Sequence, residues 1–220
     1  LLAKVYPNGS ADVNAMEAAG GLPFLIDQLR GAGFLHPDVM TITENGYQDY
    51  GQVAKIATPD TLSFEAAPTQ SLMPEVLTTP EQPFQSNGGL KVLTGNLGRS
   101  VIKISAVAPE HRVVEAPAKV FTDQNQIQAA FKAGELHGDF VCVLRSQGPK
   151  ANGMPELHKL TPPLSILQKL GFKVALVTDG RMSGASGKVP SAIHLTPEAI
   201  DGGPIAKIRD GDIIRLDAEN

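Results

Sequence analysis

Short apolar runs rich in β-branched residues recur from residue 88 to the end of the chain. They predict strands, at residues 100–104, 113–121, 141–144, 174–177 and 212–216. Each run is short and is bounded by glycine, proline or charged residues, which favour turns. The spacing of the runs suits a compact barrel or a mixed sheet.

Two stretches between these runs predict helices instead. Asp123 is followed three residues later by Gln126, an arrangement typical of a capping box, and an apolar stripe comes next. A second helix is predicted to begin near Pro155, because leucines then recur at the helical period. A break is expected in it at residues 162–163, which are both proline.

The order of strand, helix and strand between residues 141 and 177 predicts a right-handed parallel crossover. Open sheets place ligand sites beyond the carboxyl ends of parallel strands. Glu156 and the loop after residue 177 are therefore both expected at that edge of the sheet.

The segment before residue 84 has a different character. Pro23 and the apolar residues after it predict a short helix that ends near residues 31–33, which include two glycines. Residues 44–83 contain five prolines and no sustained period, so loops and short strands are expected there. We therefore divide the chain into an N-terminal helix and linker segment, residues 1–83, and an α/β domain, residues 84–220.

Composition excludes several classes of protein. A net charge of −4 and only 5% aromatic residues do not provide the basic surface and stacking platform of a nucleic-acid binder. No stretch approaches eighteen consecutive apolar residues, and the first fourteen residues do not have the pattern of a secretion signal. A soluble cytoplasmic protein with no membrane or nucleic-acid partner is expected.

The single cysteine, Cys142, excludes an intramolecular disulfide and cannot assemble an iron–sulfur cluster alone. It lies inside an apolar run, residues 140–144, that is predicted to be a strand. A buried, unreactive thiol is therefore expected at this position rather than a metal ligand.

Chemistry is concentrated where the run at 174–177 ends in a glycine-rich loop. The loop carries Asp179, Arg181, Ser183, Ser186 and Lys188. Its glycine, lysine and serine spacings match neither a Walker loop, nor a dinucleotide-binding fingerprint, nor a nucleophile elbow. Local chemistry alone is equally compatible with a ligand-binding loop and with a plain turn that carries solvated charges.

Further motifs accompany this loop in a fixed order. Residues 88–98 read Gly-Gly-Leu-Lys-Val-Leu-Thr-Gly-Asn-Leu-Gly, residues 148–156 read Gly-Pro-Lys-Ala-Asn-Gly-Met-Pro-Glu, and residues 209–212 read Arg-Asp-Gly-Asp. Together with the Thr-Asp-Gly-Arg-Met-Ser-Gly of residues 178–184, they resemble the C-terminal half of the IlvD/Edd dehydratase family. Residues 183–190, Ser-Gly-Ala-Ser-Gly-Lys-Val-Pro, resemble its 6-phosphogluconate branch.

The resemblance implies a β-barrel-like swivelling domain, similar to the mobile domain of aconitase and flanked by helices. It implies dehydration of 6-phospho-D-gluconate to 2-keto-3-deoxy-6-phosphogluconate, a step of the Entner–Doudoroff pathway. It also implies two cofactors, Mg²⁺ and a 4Fe-4S iron–sulfur cluster whose cysteines belong to the family's N-terminal half. The partners implied are that half and a second copy in a homodimer. Without the cluster-bearing half, this chain is expected to be inactive.

Site residues follow from the resemblance, position by position. Ser183 matches the serine that acts as the base near Mg²⁺, and Glu156 matches a glutamate of the Mg²⁺ site. On local grounds alone, Glu156 would be a carboxylate that stabilises a helix start. Arg181, Ser186 and Lys188 are assigned to the substrate, with Ser186 and Lys188 suited to its phosphate.

Other interpretations remain open at this point. The chain could be a stand-alone sugar-phosphate-binding module, a dihydroxyacid or sugar-acid dehydratase of the same family, or an aconitase-like isomerase. His158 and His194 lack metal-ligand spacing and are interpreted as structural. Asn96 is interpreted as a turn residue before it is considered a substrate donor.

Overall fold

A computed structural model describes residues 1–182 and 187–219, and the chain divides into two compact units, Leu1–Gly88 and Gly89–Asn220. The first unit has three helices and two strands among its described elements. They are α1 (Val13–Ala18), α2 (Gly21–Gly31), α3 (Tyr47–Tyr50), β1 (Gln52–Thr58) and β2 (Thr61–Ala66).

The core of the first unit forms around α2. Phe24 of α2 and Leu77 are fully buried and belong to one apolar cluster with Ala19 and Val76. The helix predicted after Pro23 is confirmed, although it begins earlier, at Gly21. A backbone hydrogen bond also joins the beginning and the later part of this unit, because the Lys4 N–H donates to the Val76 carbonyl at 2.8 Å.

Strands β1 and β2 form an antiparallel hairpin with two unlike faces. Ile56 lies opposite Leu62, and Phe64 lies two residues further along the same face. These three apolar side chains are 60–78% exposed. On the other face, Lys55 and Glu65 form an ion pair at 2.5 Å. The hairpin is therefore amphipathic.

The second unit is built on one mixed sheet. Within residues 89–182 and 187–219, its seven strands lie in the order β3-β4-β8-β7-β6-β5-β9. The strands are β3 (Leu90–Gly95), β4 (Gly98–Lys103), β5 (Val113–Phe121), β6 (Phe140–Leu144), β7 (Val174–Thr178), β8 (Ser191–Thr196) and β9 (Ile213–Asp217). The helices are α4 (Gln124–Lys132), α5 (Pro149–Asn152) and α6 (Thr161–Lys169).

Both faces of the sheet are apolar at its centre. Val143 of β6 and Val177 of β7 face a cluster that includes buried residues of every strand from β4 to β9. Cys142 and Leu176 face the opposite way and pack with residues of α4 and α6. Central parallel strands are buried on both sides in this way, which explains their uninterrupted apolar sequences.

The sheet curls so that its two edge strands approach each other. Lys91 Nζ of β3 donates to the carbonyl of Ala218, next to β9, at 3.0 Å. Between them lies a cavity of about 340 Å³, whose lining includes Leu93 of β3 and Leu216 of β9. The expected α/β domain, with a barrel-like sheet flanked by helices, is confirmed.

The predicted strands are confirmed to within two residues, but β3 and β8 were not predicted. The capping box of Asp123 and Gln126 is present at the start of α4. Strands β6 and β7 are parallel neighbours, as the crossover requires. Cys142 is fully buried, and this burial raises the pKa of its thiol.

The predicted second helix is present as α6, but the start predicted for it near Pro155 is wrong. Glu156 instead forms a parallel bridge with Arg181, and a 3₁₀ turn, His158–Leu160, precedes α6. The two prolines lie in the first turn of α6, where a helix needs no N–H donor, so they start the helix instead of breaking it. In the part of the chain described, no helix is long and apolar enough to cross a membrane.

We predict that Leu164→Ala lowers the free energy of unfolding of the 220-residue chain by about 2–5 kcal/mol, because a fully buried leucine leaves a cavity. Leu170→Ala is the matched control, since Leu170 ends the same helix and is 67% exposed. Urea titrations measure both. Equal losses for the two variants would contradict the assignment of α6 to the core.

Candidate functional site

Four consecutive parallel strands, β5, β6, β7 and β8, place their carboxyl ends at one edge of the sheet. The segments that leave these ends begin at residues 122, 145, 179 and 197. Ligand sites are common at such an edge. The segments are joined to one another by side chains, among them the buried carboxylate of Asp179.

Asp179 follows β7 directly and is 1% exposed. Its carboxylate accepts hydrogen bonds from three backbone N–H groups: Ser146 at 3.1 Å, Gln147 at 2.9 Å and Ala199 at 3.0 Å. The first two belong to the segment after β6 and the third to the segment after β8. One buried carboxylate therefore fixes three of the four segments relative to one another.

Gln147 joins the fourth segment to the others. Its Nε2 donates to the carbonyl of Thr122, after β5, at 2.7 Å. Its Oε1 accepts from Asn152 Nδ2 at 3.0 Å, at the end of α5. The residue is 4% exposed, so both bonds are shielded from water.

Gly180 packs against these groups. A Cβ atom at this position would lie 2.7 Å from Gln147 Cβ and 2.9 Å from Leu157 Cδ1. The Gly180 N–H donates to Thr178 Oγ1 at 2.9 Å. A larger residue would force the segment after β7 away from the sheet, so close packing requires glycine here.

Three residues with strained backbone are hydrogen-bonded to the segment that begins at Asp179. In the part of the chain that the structure describes, the non-glycine residues with positive φ are Ser146, Met154 and His194, at 63°, 56° and 56°. Each is hydrogen-bonded to the Asp179-Gly180-Arg181 segment, to Asp179, Arg181 and Gly180 respectively. Such conformations cost about 1–3 kcal/mol each and cluster at functional sites.

Arg181 and Glu156 are brought together by this arrangement. Arg181 Nη1 lies 2.7 Å from Glu156 Oε2, and Arg181 Nε donates to the Met154 carbonyl at 3.0 Å. The backbones also pair, since the Leu157 N–H donates to the Arg181 carbonyl at 3.3 Å. The side chains of Arg181 and Glu156 are 47% and 31% exposed, so the pair is open to solvent and to ligands.

The remaining residues predicted for the site are Ser183, Ser186 and Lys188, with Asn96 as a further candidate. Ser183 and Ser186 lie outside the described residues. Lys188 is exposed, and its carbonyl accepts from Gln168 Nε2 at 3.3 Å. Asn96 lies in the two-residue turn of the β3–β4 hairpin, as the turn interpretation requires.

Glu156 is the residue at this edge that the sequence assigns to a metal ion. They contain no group of three or more His, Cys, Asp or Glu side chains that could hold a metal. The carboxylate of Glu156, whose side chain is 31% exposed, is the donor type that Mg²⁺ prefers, and Mg²⁺ takes few protein ligands. The carboxylate of Glu156 has the chemistry of a Mg²⁺ ligand, but in this structure it is bonded to Arg181.

The sequence interpretation missed the roles of Asp179 and Gln147. Asp179 was noted only as a charge in the loop, although a carboxylate directly after a wholly apolar strand is a usable signal. A charge at that place is close to the buried sheet and needs partners. The partners at residues 146, 147 and 199 are distant in sequence, so no local pattern identifies them.

Two family models match the chain. Residues 75–220 match the model described as dihydroxy-acid/6-phosphogluconate dehydratase C-terminal. Residues 1–50 match the model described as dihydroxy-acid/6-phosphogluconate dehydratase N-terminal. The first match contains the whole of the seven-stranded sheet and the carboxyl edge described above.

Curated relatives agree with the family models. The chain is 62% identical to a phosphogluconate dehydratase of Rhizobium meliloti and 58% identical to one of Pseudomonas aeruginosa; each match covers 100% of this chain and 36% of the relative. It is 36% identical to a dihydroxy-acid dehydratase of Acetivibrio thermocellus, of which it covers 37%. The chain thus spans little more than a third of the length of these relatives, and it belongs to the dihydroxy-acid/6-phosphogluconate dehydratase family.

Proposed function

We propose that this chain is the C-terminal part of a hydro-lyase that converts 6-phospho-D-gluconate to 2-keto-3-deoxy-6-phosphogluconate. The supporting observation is the difference in identity between the two branches of the family. Two relatives named phosphogluconate dehydratase are 62% and 58% identical to the chain, whereas the relative named dihydroxy-acid dehydratase is 36% identical. The proposal includes a cytoplasmic enzyme that acts as a homodimer, with the family's N-terminal half as the other part of each subunit.

The reaction removes the C2 proton and the C3 hydroxyl group as water, and the resulting enol tautomerises to the 2-keto acid. Removing a proton from carbon requires a base, and the poor hydroxide leaving group requires a Lewis acid. When bound, the iron–sulfur cluster and Mg²⁺ supply Lewis acidity, which the side chains of this chain lack.

The cluster ligands are proposed to lie in the N-terminal half. Cys142 is the one cysteine of the chain, and it is fully buried between the sheet and the helices. Burial raises the pKa of its thiol and so disfavours the thiolate that a cluster requires. The chain is therefore unsuited to holding a cluster through this residue.

The residues of this chain are proposed to act on the organic substrate. Ser183 takes the C2 proton, and Arg181 binds the C1 carboxylate. An arginine has more N–H donors than the bonds to Met154 and Glu156 use. Ser186 and Lys188 are assigned to the phosphate. Asp179 does not act on substrate in this proposal; it holds the start of the loop in place through its three backbone bonds.

We predict that the full-length enzyme dehydrates 6-phosphogluconate, whereas the purified 220-residue chain is colourless, contains no stoichiometric iron and shows no turnover. Iron analysis and NMR detection of the 2-keto product measure both properties. A cluster bound to the 220-residue chain, or turnover by it, would show that the division of cofactors between the two halves is wrong. An isomerised hydroxy acid as product would instead indicate aconitase-like chemistry.

We predict that Glu156→Gln in the full-length enzyme raises the Mg²⁺ concentration needed for half-maximal activity by at least about tenfold, because an amide is a weaker ligand than a carboxylate. The measurement is the dehydration rate as a function of Mg²⁺ concentration. Glu115→Gln is the matched control, since Glu115 is also paired with an arginine, Arg215, at 3.3 Å, and both side chains are exposed. An unchanged Mg²⁺ requirement in Glu156→Gln would leave Glu156 a purely structural partner of Arg181.

We predict that Ser183→Ala in the full-length enzyme lowers turnover by about 10²–10⁴-fold, as expected for loss of a general base. Exchange of the substrate C2 hydrogen with D₂O should fall by a similar factor, because the same proton transfer is lost. Ser165→Ala, in helix α6, is the control for removal of a hydroxyl group. Near-normal turnover in a Ser183→Ala enzyme with an intact cluster spectrum would remove Ser183 from the mechanism.

A further inference from the structure

Exposed apolar side chains are concentrated in the first unit. Eleven of the seventeen large apolar side chains that are exposed in the described part of the chain belong to this unit, although it is the smaller of the two. Single exposed apolar residues are normal on a protein surface, whereas a contiguous patch marks a contact surface. The position of these side chains relative to one another is therefore informative.

A groove in the first unit brings some of them together. It has a volume of about 510 Å³ and lies between helices α2 and α3 and the β1–β2 hairpin. Leu22 and Ile26 of α2 line this groove together with Phe64 of β2. Leu22 and Phe64 are 58% and 60% exposed, so the groove is open to solvent.

The hairpin extends the groove along its apolar face. Phe64 shares that face with Leu62 and Ile56, which are 60% and 78% exposed. The groove and this face form one continuous surface, which we call the apolar strip and which consists of Leu22, Ile26, Phe64, Leu62 and Ile56.

The border of the strip is polar. Asp49 and Gln52 also line the groove, and the carboxylate of Asp49 accepts a hydrogen bond from Asn45 Nδ2 at 3.1 Å. An apolar centre with a polar rim is the composition of a protein–protein interface. We therefore look for a protein partner of the strip rather than a small polar ligand.

The hairpin needs such a partner for its own stability. Among the described residues, β1 and β2 pair with each other and with no third strand. Every residue of the two strands is at least partly exposed. A hairpin of two strands is marginally stable in water, and packing against its apolar face stabilises it. A partner that covers the strip would supply that packing.

The family's N-terminal half is the partner that fits the strip. Leu22 and Ile26 lie within residues 1–50, which match the N-terminal family model, whereas the match to the C-terminal model begins at residue 75. The chain covers 36% of its phosphogluconate dehydratase relatives, so nearly two-thirds of each relative lies outside it. Helix α2 therefore belongs to a domain of which this chain holds only a part.

Covalent linkage favours this partner over a second copy of the chain. In the relatives, both halves belong to one polypeptide, so the N-terminal half is present at the strip at a high effective concentration. A second copy would have to reach the same surface by diffusion.

We propose that the apolar strip is the surface on which the N-terminal half of the same subunit packs. The proposal rests on the part of the proposed function that makes this half the other part of each subunit. It also assigns a role to the hairpin, residues 52–66, which lies between the two family matches. The surface of the N-terminal half that meets the strip is expected to be apolar.

The test places a photo-reactive residue on the strip of the full-length enzyme. Phe64 is replaced by p-benzoylphenylalanine, which keeps an aromatic ring and bonds to nearby C–H groups on irradiation. The expected product is a cross-link from residue 64 to the N-terminal half of the same subunit, found by mass spectrometry in a band with the mass of one subunit. The same replacement of Lys55, on the opposite face of the hairpin, is the matched control and should give no such cross-link. Circular dichroism checks that both variants are folded.

Hydrogen exchange provides a second measurement that needs no substitution. The amides of residues 52–66 should exchange at least about tenfold more slowly in the full-length enzyme than in the 220-residue chain, because a covered hairpin opens less often. Equal exchange rates, a cross-link from residue 64 to a second subunit, or no cross-link at residue 64 would each refute the role of the strip.

Neither measurement depends on turnover, so the two proposals fail in different ways. A wild-type enzyme that does not dehydrate 6-phosphogluconate would refute the proposed reaction. A cross-link between subunits in an active enzyme would refute the role of the strip alone.

Discussion

Three backbone amides from two separate segments point at one carboxylate, that of Asp179. Hydrogen bonds to a charged group contribute about 1.5–3 kcal/mol each, and an amide left unpaired in a buried place costs a similar amount. Moving either of these segments would therefore break hydrogen bonds to the same carboxylate. These bonds hold the segments that start at residues 145, 179 and 197 together, although the segments are loops.

The positions of Arg181 and Glu156 depend on these bonds to Asp179. With Asp179 fixed, Gly180 is pressed against Gln147, and the next residue, Arg181, is placed beside Glu156. The glycine-rich loop thus leaves the sheet from a fixed point. Strain at Ser146, Met154 and His194 is tolerated because each of them is bonded to this same segment.

Local signals in the sequence were sufficient for much of the fold. The apolar runs of β6 and β7 and the capping box at Asp123 depend on neighbours within a few residues, and the structure confirms them. Strand β8 contains Ser, His and Thr, so its sequence is not typical of a strand. It becomes a strand because it pairs with β4 and β7. Glu156 was assigned to a helix from the leucine period, but pairing with Arg181, 25 residues away, keeps it extended. Propensity is a weak prior where such distant partners exist.

The hairpin of the first unit has a consequence for work with the chain in solution. Ile56, Leu62 and Phe64 form one continuous apolar face that stays largely exposed. Exposed faces of this kind promote association, and unpaired strand edges beside them add backbone donors and acceptors. This face therefore contributes to the tendency of the 220-residue chain to associate in solution. Precipitation on concentration, or retention on an apolar chromatography resin, is therefore to be compared with a variant in which polar residues replace these three side chains before it is attributed to the carboxyl edge.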